Sequence, residues 1–320
     1  MLKIIQTRIL SSQFSKDYLI AIVQAFFVTI LWSSSWVIIK FGLEEIPPLI
    51  FAGLRYSLGA LILLALIFSD KDHRKLLITQ RYHWWLNIGL YGCIFIAITQ
   101  GGQFIALNLL PAITVSFALN LTPIVVIILS IGILREVPSF LQIFFFLIAL
   151  LGVLFYFYPI NLYIEFLGFL VLVVLILANA LSSILGRSIN RTETTPPIIV
   201  AGVSMAIGSI IMLVFGFAID GIHIIFTLST LSIIYIIWLG VVNTALAFTI
   251  WNKSMQKLRA MDLTIINSTM LPQIVILSII FLGELPILKE WIGLFLIVIS
   301  TLLIQFNQAR REPKNLYPSS

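Results

Sequence analysis

Two stretches of this chain, Ile46–Arg55 "IPPLIFAGLR" and Thr195–Ser204 "TPPIIVAGVS", write one pattern twice, 149 positions apart. Pro47 matches Pro196, Pro48 matches Pro197, Ile50 matches Ile199, Ala52 matches Ala201 and Gly53 matches Gly202. The same offset carries Ser33 and Ser34 onto Ser182 and Ser183, and Pro123 onto Pro272. Separated regions agreeing on one register read as a duplicated unit, so the chain is expected to be two copies of one segment.

The material between the matches sets the class. Hydrophobic residues make up 60% of the 320 and charged residues only 10%, against roughly 25% charged in a soluble domain. The apolar residues fall in windows of about 20, the length a helix needs to cross a hydrocarbon core about 30 Å thick. Ten spans are predicted, at 18–39, 48–68, 84–106, 112–133, 141–160, 166–188, 197–218, 228–250, 263–282 and 291–307. The windows are continuously apolar rather than alternating, which excludes the strands of a membrane barrel. The expected fold class is an all-α polytopic membrane protein.

Charge supports that count. With the N-terminus inside, every Lys and Arg except Lys40, Lys289 and Arg55 falls in an inside segment, as the positive-inside rule requires when the span number is even. Both termini are then cytoplasmic and the protein is multi-pass in the plasma membrane. The formal charge of +6 follows from topology and contact with the anionic inner leaflet, with no call for nucleic acid. The basic polar segment before a long first span reads as the start of a membrane helix rather than a cleaved leader. Lone Cys93 and the scattered His73, His83 and His223 have no metal-ligand spacing, and no nucleotide motif is present. No cofactor is expected.

Two copies of five spans must sit in opposite orientations, because five is odd. The organisation expected is a cytoplasmic segment 1–17, a five-helix repeat over 18–160, a second over 166–307, and a cytoplasmic tail 308–320. Inverted repeats are a common plan of secondary transporters, with the substrate held near the midplane between the copies.

At this point the chain resembles the drug/metabolite transporter superfamily, in its ten-span family with two EamA-type domains. The resemblance rests on "LWSSSWVIIK" from Leu31, "PPLIFAGLR" from Pro47 and "ALNLLPAITVSFALNLTPIVVIILSIGILRE" from Ala106 to Glu136. In the second half it rests on "LSSILGR" from Leu181, "PPIIVAG" from Pro196 and "MQKLRAMDLTIINSTMLPQIVILSIIFLGE" from Met255 to Glu284. It covers residues 18 to 307 and implies a transporter of a small organic metabolite such as an amino acid. It further implies export or exchange driven by a proton or substrate gradient. The chain departs from the family at Ser33, where a glycine is usual, and at Ala180 and Leu181, which stand where Leu31 and Trp32 stand in the first copy. The rival classes are an integral-membrane enzyme acting on a lipid, which would need a reactive cluster near an interface, and a channel, which would need a filter loop. Neither feature is visible, and monomer or homodimer is left undecided.

The site expectations follow from polar groups placed in hydrocarbon. Amides there face a bundle interior or water, or they hold helices together. The substrate-binding candidates are Trp32, Ser33 and Trp36 in the first span, Arg55 in the second, Gln100 and Gln103 around a glycine pair in the third, and Asn120 in the fourth. Asn179 in the sixth, Trp238 and Asn243 in the eighth, and Asn267 and Thr269 in the ninth complete them. Arg55 lies seven residues past Pro48, about 10 Å into its helix. It either snorkels to the outer interface or faces a cavity and meets an anionic group or Glu44, while the resemblance implies a structural role. Pro123 and Pro272 are expected as hinges or static kinks. Asp and Glu are absent from the span centres, which argues against an embedded carboxylate relay and leaves open coupling through the substrate's own proton or through a residue at a span edge. Glu136 and Glu284 recur at the ends of the fourth and ninth spans and suit capping, gate pairing or simple solvation.

Overall fold

The structure, a computed structural model, describes residues 2–133, 140–157, 162–190, 195–255, 257–258 and 260–311. Glu136, Arg135, Arg191 and Arg259, on which parts of the reading above rest, lie outside the described residues. Among the described residues every regular element is a helix.

Among the described residues, seven helices are long and apolar enough to cross a membrane: Tyr18–Gly42, Pro48–Ser69, Tyr82–Leu109, Phe166–Gly186, Pro197–Asp220, Thr230–Ser254 and Ile265–Leu282. Two further apolar helices are shorter, Ala112–Val126 and Ile143–Phe157. These correspond to the expected spans 112–133 and 141–160. The expected tenth span lies within a 24-residue helix, Leu288–Arg311.

In chain order the helices are α1 (Leu2–Gly42), α2 (Pro48–Ser69), α3 (Lys71–Ile78), α4 (Tyr82–Tyr91), α5 (Gly101–Leu109), α6 (Ala112–Leu119), α7 (Thr122–Ile133), α8 (Phe140–Phe157), α9 (Leu162–Asn190), α10 (Pro197–Asp220), α11 (Ile224–Thr227), α12 (Thr230–Gly240), α13 (Ala247–Met255), α14 (Ala260–Ser268), α15 (Met270–Leu282) and α16 (Leu288–Arg311). π-helical stretches, Gly92–Gln100 and Val241–Leu246, join α4 to α5 and α12 to α13.

The opening motif explains how α2 and α10 begin. Each has proline at its first helical position, where a missing N–H costs no bond, and a second proline as N-cap. The caps adopt nearly the same backbone, φ −56° and ψ 141° at Pro47, φ −55° and ψ 138° at Pro196, because a residue preceding proline is driven to extended geometry. The two helices then pack along one another. Their closeness depends on glycine: a Cβ on Gly53 would lie 2.7 Å from Leu213 Cδ2, and one on Gly216 would lie 2.9 Å from Ile50 Cγ1. Small residues admit such contacts where lipid supplies no hydrophobic drive between helices.

The prolines Pro123 and Pro272 each follow a break. α6 and α7 part at Asn120 and Leu121, and α14 and α15 part at Thr269. Around the breaks the backbone turns to i−3 bonds, Leu121 N to Ala118 O at 3.0 Å and Thr269 N to Ile266 O at 3.1 Å. The cause is that proline lacks an N–H and its ring crowds the carbonyl four residues earlier. Asn120 and Thr269 stand 149 residues apart, as do the starts of the π-helical stretches at Gly92 and Val241. In those wider turns a threonine hydroxyl takes up a carbonyl five residues back, Thr99 with Ile94 at 2.9 Å and Thr244 with Leu239 at 2.8 Å.

The main core gathers Phe51, Tyr56 and Leu63 of α2, Phe104 and Leu107 of α5, Leu175 of α9 and Met212 of α10. A second core lies where α8 packs on α16 with Phe117 and Leu271. The outer surface is apolar, with Leu61, Val214, Phe215 and Ile280 exposed. That surface suits hydrocarbon rather than water.

One end of the bundle is tied by two carboxylates. Glu284, just past α15, accepts from the backbone N–H of Ala112 at 2.7 Å and of Ile113 at 2.9 Å, capping α6. Glu45, just past α1, accepts from the N–H and hydroxyl of Ser229, both at 2.6 Å, and from the Ser232 hydroxyl at the start of α12. Negative charge is favoured at a helix N-terminus, so each carboxylate joins helices that are far apart in sequence.

Candidate functional site

Between the two cores lies a cavity of about 690 Å³, within the range of small-molecule sites. It draws on helices from both sides of residue 160. Near the Glu284 end its wall holds Arg55, Gln103 and Ser116, and toward the opposite end it holds Ser183, Trp251 and Asn267. A smaller space of about 440 Å³ at the Glu284 end is lined by Lys40, Glu44, Asn108 and Glu284.

Of the residues singled out by sequence, Trp32, Trp36, Arg55, Gln100, Gln103, Asn120, Asn179 and Asn267 line the larger cavity, and so does Pro123. Trp32 is held by rings on α13, its centroid 5.5 Å from Phe248 and 5.0 Å from Trp251. Gln100 accepts from the Tyr56 hydroxyl at 2.8 Å, which leaves its amide N–H groups available. Asn179 donates to the Thr122 hydroxyl at 3.0 Å, beside the proline break. Asn120 donates to the Ser116 carbonyl at 2.9 Å. Arg55 is only 5% exposed, and its Nε donates to the Thr244 hydroxyl at 3.1 Å. Its guanidinium lies 5.1 Å from the centroid of the Tyr56 ring and 5.9 Å from that of Phe104. It faces the cavity and makes no ion pair with Glu44.

Four candidates are placed elsewhere. Ser33 is fully buried between α1 and α15, donating to Gln273 Oε1 at 2.9 Å. Thr269 donates to the Ile266 carbonyl at 2.6 Å and accepts from Gln273 Nε2 at 3.0 Å, so it belongs to the same inter-helix network. Asn243 is fully buried; its Nδ2 donates to the Leu31 carbonyl and to the Ser34 hydroxyl, tying the second π-helical stretch to α1. Trp238 is 47% exposed on α12, turned outward. Pro272 shapes the α14–α15 break without lining the cavity.

Sequence reasoning passed over Tyr56, Phe95, Ser116, Ser183, Phe248 and Trp251, which also line the space. Tyr56 was legible as the neighbour of the one intramembrane charge. Phe248 and Trp251 are three apart on a helix and so share a face, but in a sequence with 24 Phe and 7 Trp an aromatic pair gives no sign of whether it faces lipid or cavity.

The wall is amphipathic: aromatic rings, amides and hydroxyls, one cation, and no carboxylate among the described residues. Such a surface offers a small organic molecule apolar contact, hydrogen bonds and one positive charge.

Comparison with known proteins identifies the chain's relatives. The model of the EamA-like transporter family matches residues 19–158 and again 166–306. A protein of Escherichia coli named "Probable amino-acid metabolite efflux pump" is 26% identical over 236 residues, covering 72% of this chain and 76% of that one. The "Uncharacterized inner membrane transporter YicL" of Salmonella typhimurium is 32% identical over 125 residues, 39% of this chain and 40% of that one. The "Uncharacterized transporter YoaV" of Bacillus subtilis is 43% identical over 56 residues, 18% of each. The chain thus spans less than half the length of these last two. A solved crystal structure superimposes with a TM-score of 0.60 at 19% identity, over 91% of this chain and 99% of the other, which shows a shared fold.

Proposed function

We propose, starting from the fact that this chain belongs to the EamA-like transporter family, that it exports a small organic metabolite such as an amino acid by alternating access through the cavity at Trp32, Arg55 and Asn179. It is a membrane transporter rather than an enzyme. The observation that carries the mechanism is the amphipathic cavity of about 690 Å³, walled by helices from both sides of residue 160. The name of the E. coli relative supports both the amino-acid class and the outward direction, and that of the Salmonella relative supports an inner-membrane location.

In this reading ten spans form two inverted five-helix repeats, with both termini cytoplasmic. Support comes from the matching proline caps of α2 and α10, the π-helical stretches starting 149 residues apart and the breaks at Asn120 and Thr269. The positive-inside pattern puts Glu45 and Glu284 on the outer face. In that orientation their caps tie helices together at the outer face and the cavity wall reaches Trp251 toward the cytoplasmic end, which supports an inward-facing reading. Exchange of the two repeats' conformations would release the caps and open the outer face. With no ATP motif in the sequence, the energy comes in this reading from a solute or proton gradient or from a partner protein.

The test is flux. Purified protein in proteoliposomes is offered radiolabelled amino acids, nucleosides and cationic dyes, with and without a proton gradient. Saturable movement of one class, reduced at least tenfold by Trp32→Ala or Asn179→Ala, supports the reading. Folded, oriented protein that moves none of them above empty liposomes overturns it.

A further inference from the structure

We propose that Arg55 is the carboxylate-recognition residue of the cavity, so that the transported solute is a small amphipathic monocarboxylate, amino acids included, and not a neutral or purely cationic compound. This rests on the reading of the cavity as the transport site.

Arg55 is held rather than free. Thr244 commits its hydroxyl hydrogen to the Leu239 carbonyl at 2.8 Å and turns a lone pair to Arg55 Nε at 3.1 Å. That carbonyl is reached five residues back because the chain is π-helical there. The Tyr56 and Phe104 rings flank the guanidinium. Only Nε is bonded among the described residues, and the two Nη groups, with four N–H donors, serve a residue that lines the cavity. No carboxylate of the described chain pairs with Arg55, and none lines the space.

A cation 95% removed from solvent is costly unless an anion or water completes it. The planar fork of guanidinium matches a carboxylate in two parallel hydrogen bonds, a geometry lysine cannot give. Gln103, which has no hydrogen-bond partner among the described residues, and Ser116 lie on the same wall to take remaining lone pairs. Toward the other end the Trp32, Phe248 and Trp251 rings offer apolar faces that accept a hydrocarbon body, or an ammonium by cation–π contact. One cation with no second base suits a single negative charge and leaves a dianionic phosphate half-compensated.

Three of the lining residues are tryptophans, so binding to the detergent-purified protein is readable as a change in intrinsic fluorescence. The probes are phenylalanine against phenylalaninamide, phenylacetate against phenylacetamide, phenethylamine alone and phenyl phosphate. The expected result is that each carboxylate binds wild type at least about tenfold more tightly than its carboxamide, as loss of a charge-assisted bond predicts. Arg55→Gln should bring each pair to equal affinity, and Arg55→Lys should keep part of the preference. Equal affinities in wild type, tightest binding of phenyl phosphate or phenethylamine, binding of none of the probes, or undiminished preference in Arg55→Gln would each overturn the proposal. If Arg55→Gln does not fold, the wild-type pairs and Arg55→Lys decide it. Flux of the same probes separates the two readings. Carboxylate-selective binding without flux overturns transport and leaves only Arg55 as the cavity's carboxylate-binding residue, whereas flux indifferent to the carboxylate keeps transport and overturns this inference.

Discussion

At the scale of single residues, the amides of this chain divide into two groups that look alike in sequence. Asn243 and Gln273 are glue: the first bonds α1 from the second π-helical stretch, and the second links Ser33, Thr29 and Thr269. Asn179 and Asn267 border open space. Interhelical hydrogen bonds in membranes contribute about 0.6 kcal/mol on average and up to about 1.7. Asn243→Leu also forces a larger side chain into a fully buried site. We therefore expect Asn243→Leu to lower the thermal midpoint in detergent by several degrees while leaving substrate preference unchanged. Trp251→Ala should do the opposite, raising KM at least several-fold with a near-native midpoint. Melting curves and concentration-dependent flux on the two variants check both outcomes. Polarity alone shows that such a residue avoids lipid, and it does not say whether the partner is a neighbouring helix or a solute, which is why Ser33 and Trp36 were equally plausible candidates and only Trp36 lines the cavity.

At the scale of elements, proline positions predicted real departures from helical geometry. Pro272 sits three residues after the break at Thr269, and Pro123 three after Asn120. Pro272→Ala restores a backbone donor and removes the ring's crowding of the carbonyl at Ser268. The variant is expected to melt higher and, under the proposed alternating access, to turn over several-fold more slowly, because a continuous helix resists the bend that such a cycle requires. Equal turnover would assign the kink to packing alone. The α2–α10 contact makes a different prediction. A leucine at Gly53 carries a Cβ already 2.7 Å from Leu213, so Gly53→Leu should prise the helices apart at a cost of about 1–3 kcal/mol or more, seen as loss of the monodisperse, folded species in size-exclusion chromatography. The loop carboxylate Glu45 brings pH dependence. The Ser229 hydroxyl foremost, with the Ser232 hydroxyl and the Ser229 N–H, holds its carboxyl below the ordinary range. A lowered carboxylate pKa contributes stability that is complete above the unfolded value of about 4.3 and is lost as pH falls through the folded one. Acid melting curves below about pH 4 should therefore fall less steeply in Glu45→Gln than in wild type.

At the scale of the whole molecule, the proposed transport cycle makes the caps of Glu45 and Glu284 the contacts that would break for the cavity to open at their end of the bundle. Glu284→Ala leaves the N–H groups of Ala112 and Ile113 without their acceptor and should shift the population toward the outward-open form. In a Cys93→Ser background carrying Ser35→Cys, a membrane-impermeant thiol reagent applied from outside should label the cavity several-fold faster when Glu284 is replaced. Unchanged labelling would restrict Glu284 to local capping.

What the sequence by itself determined is whatever the bilayer imposes on every residue separately: helices throughout, because backbone groups in hydrocarbon must bond within their own segment, and the register of 149 residues in which prolines and glycines recur. The proline caps, the breaks and the loop positions of Glu45 and Glu284 were legible for that reason, since each depends on neighbours close in the chain. Only the tertiary structure decided which helix faces meet. It turned Trp238 to the outer surface, buried Asn243 against α1, brought Trp251 to Trp32 across more than 200 residues, and set Thr244 to hold Arg55 toward an open space. In a chain that is 60% hydrophobic the face turned to lipid and the face turned to protein are equally apolar, so the pattern that marks an interior in a soluble protein is missing here.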